Sequence, residues 1–353
     1  MTVQQSFIKN VVQIMICIGF SFLIGAVFLL AQGENPLEIY YYLTVDPFLS
    51  LDGIVKLLGK ATPLIFTGLA VAVSFKCGIF NIGVEGQLLF GALAAALVGY
   101  YCAGLPYVIH VVLTVFAGMA AGMVYAFVPA ILKIKLKIHE VITTIMMNSI
   151  ASALTAFIIV NFVRNPGQTA RTYTVADTAR FAQFTPPEHL NTGLIIALIC
   201  VAVLCVLVYR TPYGMQLNAV GTNPVAARYS GIDSNKIIIV TMLLSGAIAG
   251  LCGTERVLGA FGYMQVNFSS GYGFDGITVA VIGKNNPLGA CVAAIFIGAL
   301  QCGGTTISMM TQVPAEFIQA LIAIIFIMVA AQNAIFGGLG KLFGSERREV
   351  KTA

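Results

Sequence analysis

The sequence predicts an all-α integral membrane protein: one transmembrane domain of about ten helices, some of them short or broken. Three observations predict it. Of 353 residues, 58% are hydrophobic and only 9% charged, and the mean hydropathy is +0.92. A soluble domain carries about 25% charged residues and needs them to cover its surface. The apolar runs have the ~20-residue length that crosses a ~30 Å hydrocarbon core and lack the alternation of a barrel strand. Lys and Arg concentrate in alternate connections between these runs, as the positive-inside rule requires. A cytoplasmic enzyme, a disordered chain and a nucleic-acid binder are thereby excluded.

Taken in order, residues 1–10 form a short segment with one Lys. The apolar run Val11–Ala31 exceeds a signal-peptide core and has no small-x-small cleavage site, so it reads as a retained first helix. Further spans fall at 61–76, 84–104, 107–132, 141–162, 192–209, 237–259, 273–283, 288–308 and 314–336, with 61–76 and 273–283 short. With both termini cytoplasmic, the inner side receives thirteen of the 19 Lys and Arg, including Lys133, Lys135, Lys137, Arg210, Arg228, Lys236 and the tail residues Lys341, Arg347, Arg348 and Lys351. The 32–53 connection carries Glu34, Glu38, Asp46 and Asp52 and no basic residue, as an outer loop allows. An even count, ten or eight, keeps both ends inside. It also makes 163–191 an external loop, 210–236 a cytoplasmic loop and 337–353 a cytoplasmic tail. The eight Cys lie mainly in apolar segments without a CxxC and read as small buried hydrophobes.

Two short segments match one another. Gly68-Leu-Ala-Val-Ala-Val-Ser-Phe-Lys76 and Gly276-Ile-Thr-Val-Ala-Val-Ile-Gly-Lys284 agree at five of nine positions, and each precedes a Gly/Asn-rich turn and another span. Interrupted segments at matching places of two related halves point to a transport pathway. After the first segment, Lys76-Cys-Gly-Ile-Phe-Asn-Ile-Gly-Val-Glu-Gly-Gln87 puts Asn81, Glu85 and Gln87 at a span entrance. An ionisable group inside a span costs about 2.5–3.5 kcal/mol on insertion scales and faces a cavity or partner; alternatively, Glu85 caps the next helix. Asn148 bonds either a substrate or a neighbouring helix. Gly271-Tyr-Gly-Phe-Asp-Gly276 is formally a GxGxxG, but it lacks the preceding strand and the later acidic residue of a dinucleotide site. It reads as a gate or pocket wall carrying Asp275. Glu255-Arg256 pairs or snorkels at a span end. Gly118-x-x-x-Gly122 and Gly246-x-x-x-Gly250 are close-packing signals.

In the cytoplasmic loop, Asn223 is a good N-cap, Pro224 suits the first helical position and Gly231 the residue after the end. A short helix, Pro224–Ser230, follows, carrying Ala226, Ala227 and Arg228. It suits docking into a groove of a soluble subunit, or serves as a stable connector. The three His are far apart, so no metal site is assigned. No GxxxxGK[ST] occurs, so energy for active transport comes from another subunit or an ion gradient. No catalytic residue is assigned.

Phe80-Asn-Ile-Gly-Val-Glu-Gly-Gln87, the Arg210–Ile232 loop and Gly271–Gly289 together resemble the membrane permeases of bacterial ABC importers. The resemblance is to the branched-chain amino acid and ribose permease superfamily, closest to its simple-sugar and nucleoside branch, over about residues 55–340. Glu140-Val-Ile-Thr-Thr-Ile-Met-Met-Asn148 is similar to that branch's Glu-Val-x-x-Thr-x-Met-x-Asn pattern; Ser149 departs from it, where an aromatic residue is expected. The resemblance implies a non-enzymatic, multi-pass permease subunit of the bacterial cytoplasmic (inner) membrane, with nucleosides as substrate. It further implies a second, non-identical permease, ATPase subunits that bind ATP-Mg, and an extracytoplasmic nucleoside- or sugar-binding protein. On this reading Asn81, Glu85, Gln87, Asn148 and Asp275 line the route, and Asn223, Pro224, Ala226, Ala227, Arg228 and Gly231 couple to the ATPase. The alternatives are a ribose-type permease or a proton-coupled transporter using Glu85, Glu255 or Asp275.

Overall fold

The computed structural model describes residues 3–185, 190–311, 313–314, 316–332 and 335–336; His189 and the tail expected at 337–353 lie outside them. In chain order the helices are α1 (Val3–Ala31), α2 (Pro36–Thr44), α3 (Asp46–Leu49), α4 (Leu51–Lys76), α5 (Val84–Tyr101), α6 (Tyr107–Leu136) and α7 (Glu140–Phe162). A two-stranded hairpin, β1 (Gln183–Thr185) and β2 (Leu190–Asn191), precedes α8 (Gly193–Arg210), α9 (Pro212–Thr222), α10 (Pro224–Tyr229) and α11 (Ser234–Glu255). A π-helical turn, Arg256–Phe261, then leads to α12 (Tyr272–Ile282), α13 (Pro287–Met310) and α14 (Glu316–Ala330). Helices stand at all ten expected places. Eight are long and apolar enough to cross a membrane; α12 and α14 are shorter. The chain is a multi-pass membrane protein.

Three segments differ from the sequence reading. The span expected at 61–76 is the second part of α4, which already begins at Leu51. Its first turns carry Asp52, Lys56 and Lys60, whose charges read as a connection. Ser50 caps it by accepting from Gly53 N at 2.9 Å, and Lys56 pairs with Asp52 at 2.6 Å, an i,i+4 pair that supports an exposed helix end. The 32–53 connection holds α2 and α3 instead of a plain loop. In the 210–236 loop, α9 precedes the expected short helix; its polar Gln216, Asn218 and Thr222 broke the apolar pattern.

Two compact units can be distinguished, Met1–Tyr42 with Gly304–Ala353, and Leu43–Gly303. Within the first, α1 packs on α14. Phe28 stacks on Phe317 at 5.6 Å, and Tyr40 donates to the Phe22 carbonyl at 2.5 Å. Within the second, α11 is central, packed on α4, α5 and α6. The two GxxxG segments meet each other there. A Cβ added at Gly122 would lie 2.1 Å from Gly246 O, and one at Gly250 2.2 Å from Gly118 O. Only glycine lets these backbones approach so closely. The two matching nonapeptides also face one another. A Cβ at Gly68 would meet Val279 Cγ1 at 2.3 Å, and one at Gly276 would meet Thr67 Cβ at 2.6 Å.

The expected external loop 163–191 is tied down along the π turn and the segment after it. Phe181 N donates to Leu258 O (3.0 Å), Val175 N to Gly262 O (2.8 Å), Thr172 N to Met264 O (2.8 Å) and Val266 N to Ala170 O (3.0 Å). Arg171 lies 4.5 Å over the Tyr263 ring, and Tyr173 stacks on Tyr100 at 4.7 Å. Backbone groups that would otherwise lack partners near the membrane are thereby satisfied.

Candidate functional site

α4 ends at Lys76, and the chain reverses through the turn 77–83 into α5; Gly78 takes φ +73° there, a conformation glycine adopts freely. The turn is pinned from inside. Asn81 Nδ2 donates to Gln87 Oε1 (3.1 Å) and Ser245 Oγ (2.9 Å), while Asn81 Oδ1 accepts from Gly83 N and Gln87 Nε2, both 3.1 Å. Ser245 Oγ in turn donates to Ala70 O at 2.7 Å. From α7, Asn148 Oδ1 accepts from Gly86 N and Asn148 Nδ2 donates to Ile82 O, both 2.9 Å. Asn81, Gln87 and Asn148 therefore brace the turn.

Glu85 sits at the second position of α5 and reaches across to α12, where its Oε2 accepts from Gly273 N at 2.6 Å. Its carboxylate thus lies at the positive ends of two helices at once, which compensates its charge. Glu85 also lines a half-enclosed cavity of about 400 Å³. The cavity is lined from α7 by Asn148, Ser149, Ser152 and Thr155, from the segment after the π turn by Met264, Gln265, Asn267, Phe268 and Ser269, from α12 by Phe274 and from α5 by Glu85 and Leu89. Asp275 does not line the cavity; its Oδ2 accepts from Gln301 Nε2 at 2.9 Å. Of the five residues expected along the route, Glu85 and Asn148 reach the cavity. Ser149, Ser152, Gln265, Asn267 and Phe274 were not singled out from sequence. Two hydroxyls one turn apart in a span otherwise rich in Ile, Met and Leu were the available signal.

At the end of α11 lies a buried ion pair. Arg256 forks onto Glu255 with Nε–Oε2 and Nη2–Oε1 both at 2.7 Å, and Asn191 Nδ2 donates to Glu255 Oε1 at 2.9 Å. Glu255-Arg256 does not snorkel; the helix continues past it and buries both side chains. The pair ties the end of α11 to the hairpin that opens α8. His110 is satisfied by Thr178 Oγ1 (2.9 Å) and Val98 O (3.2 Å).

On the loop side, Asn223 Oδ1 accepts from Val225 N and Ala226 N, both at 3.0 Å, with Pro224 at the first helical position and Gly231 at φ +82° after the end. Arg228 donates to Asn235 Oδ1 at 2.9 Å. Ala227 is buried against its own chain, so it is no part of an outward face. The other side chains of α10 after Pro224 are exposed: Ala226 and Arg228, as expected, and also Val225 and Tyr229, 61% and 90% exposed and four residues apart on one side of α10. Tyr229 went unnoticed in the sequence because the small residues beside it dominated the reading. Two residues before the Asn223 cap of α10, α9 presses on the end of α4: a Cβ at Gly221 would lie 2.1 Å from Lys76 O and 3.1 Å from Cys77 C. The loop that carries α10 and the start of the turn that carries Asn81 are therefore in backbone contact.

Comparisons with known proteins agree with this architecture. Residues 53–330 match the family described as branched-chain amino acid transport system / permease component. The chain is 38% identical over 322 residues to the guanosine ABC transporter permease protein NupP of Bacillus subtilis, covering 90% of this chain and 92% of that protein. It is 35% identical over 341 residues to the nucleoside ABC transporter permease protein NupB of Lactococcus lactis, covering 93% and 92%. The glucose ABC transporter permease protein TsgB13 of Haloferax volcanii is 33% identical over 323 residues, covering 86% and 83%.

Proposed function

Because the chain belongs to the branched-chain amino acid transport system permease family, we propose that it is the membrane-spanning subunit of an ATP-driven importer whose substrates are nucleosides. The observation that carries the substrate reading is the chemistry of the cavity wall. Among the described lining residues there is one carboxylate, itself held by a backbone N–H, and no Lys or Arg. The rest are hydroxyls, amides and apolar side chains, including the rings of Phe268 and Phe274. Such a wall suits a neutral molecule with both hydroxyl groups and a flat aromatic part. The names of two similar permeases, one for guanosine and one for nucleosides, support the same reading. A sugar importer is the second reading, favoured by the similarity to a glucose permease; the phenyl rings speak for the nucleoside.

On this proposal ATP-Mg is bound by separate ATPase subunits in the cytoplasm and supplies the driving force. This chain receives the movement at α10, through Val225 and Tyr229. Gly221 passes it to the end of α4, and the 77–83 turn shifts against the starts of α5 and α12, where Glu85 and Gly273 meet. The cavity then changes the side to which it opens. It is half open because a second permease supplies the remaining wall, and a binding protein delivers substrate from outside the bacterial inner membrane, with both termini of this chain inside. The test is reconstitution of this chain with its ATPase, a second permease and a binding protein into vesicles. ATP-dependent uptake of radiolabelled guanosine, blocked by unlabelled nucleosides and not by glucose or ribose, is the expected result. Block by sugars alone, or uptake by this chain alone on a pH gradient, overturns the proposal.

A further inference from the structure

We infer that the cavity reads a nucleoside with two separate sets of lining residues: the hydroxyls of Ser149 and Ser152 hold the ribose diol, and the segment bearing Gln265, Asn267 and Phe274 holds the base. This rests on the nucleoside reading above and deepens it to the atoms that recognise the substrate.

Ser149 and Ser152 lie near the middle of α7, one turn apart, on its exposed side and facing the cavity. Serine and threonine hydroxyls inside helices usually fold back onto a carbonyl one turn earlier. Thr144, Thr155 and Ser74 of this chain do so, at 2.7, 2.8 and 2.8 Å. Ser149 and Ser152 do not; neither hydroxyl bonds to another described residue. A hydroxyl turned to hydrocarbon without a partner is costly, so this side of α7 faces the route and not lipid. On the same wall Asn148 and Thr155 have their polar atoms engaged with backbone. The two serines are therefore the free polar groups α7 offers. Each hydroxyl both donates and accepts, which is the pattern of the two hydroxyls of a ribose diol.

The lining contributed by residues 264–274 has another chemistry. The amides of Gln265 and Asn267 bond to no other described residue, and an amide offers a fixed donor beside a fixed acceptor, as the edge of a purine does. Phe274 stands beside them half exposed, at 49%. A phenyl ring placed so gives a flat surface on which any base stacks. Hydroxyl groups thus come from α7 and the amide–aromatic set from residues 265–274, around one space of about 400 Å³.

The experiment compares uptake of guanosine and of 2′,3′-dideoxyguanosine, which lacks the diol, by the assembled complex in vesicles. The same binding protein is used throughout, so a changed ratio between the two substrates arises in this chain. The double variant Ser149→Ala/Ser152→Ala is expected to lower guanosine uptake about tenfold, the loss of roughly two hydrogen bonds, with little loss for the dideoxy analogue. Phe274→Leu lowers both alike. Ser149→Thr/Ser152→Thr, which keeps the hydroxyls, restores the preference, and co-purification of the partner subunits shows that each variant assembles. A serine double variant that leaves the ratio unchanged overturns the sugar wall, and a Phe274→Leu complex with both rates at wild type overturns the base wall. A wild-type complex that takes up no guanosine overturns the nucleoside reading and this inference together, a result distinct from either.

Discussion

Asn148 shows how a polar side chain in a span acquires its role. Its amide accepts from Gly86 N and donates to Ile82 O, so it fastens α7 to the turn that starts α5. Asn148→Ala leaves two backbone groups without partners and is expected to destabilise the protein by about 1–2 kcal/mol. Asn148→Asp keeps the acceptor for Gly86 N and falls between. Thermal unfolding of the detergent-solubilised protein measures this, and an alanine variant as stable as wild type would show that the turn holds without the clamp. A polar residue in an apolar run is visible in the sequence; its partners 62 and 66 positions away are not. Glu85 makes the same point at larger separation, since Gly273 lies 188 positions on.

At the scale of elements, the long helices were legible where each holds an apolar run of membrane-spanning length; the start of α4, with Asp52, Lys56 and Lys60, was not. α10 was legible too, because its Asn223 cap, Pro224 and Gly231 are local signals that need no distant partner. The face that α10 presents was not. Ala227 turns inward and Tyr229 outward because α10 leans on the start of α11, where Ser234 Oγ donates to Pro224 O at 3.0 Å. The contact between α9 and the end of α4 was hidden for the same reason. Gly221→Ala puts a methyl group 2.1 Å from Lys76 O, an overlap that no rotamer relieves and that costs about 1–3 kcal/mol. The expected outcome is a complex that assembles and hydrolyses ATP but no longer imports substrate in proportion. Import and hydrolysis falling together, or neither changing, would remove Gly221 from the path between α10 and the cavity.

At the scale of the whole molecule, the charge pattern predicts an orientation. The segments before and after α8, a helix long and apolar enough to cross a membrane, are expected on opposite faces of it. In a background without the eight native Cys, Thr174→Cys and Tyr229→Cys place a thiol at an exposed position of each. An impermeant maleimide is expected to label only the first in right-side-out vesicles and only the second after inversion. Equal labelling of both from one side would mean that α8 does not cross.

Composition, run length and the placement of Lys and Arg were enough to make this chain a helical membrane protein with about ten apolar helical segments of the spanning kind, because lipid acts on each segment separately and punishes every uncompensated charge. The glycine pairs were likewise readable as contacts, though their partners emerged only on folding. Which polar atoms brace the turn and which stay open to a ligand was decided by packing alone. A side chain's hydrogen-bonding capacity is fixed by its type, but whether that capacity is already met depends on backbone brought near from elsewhere in the chain.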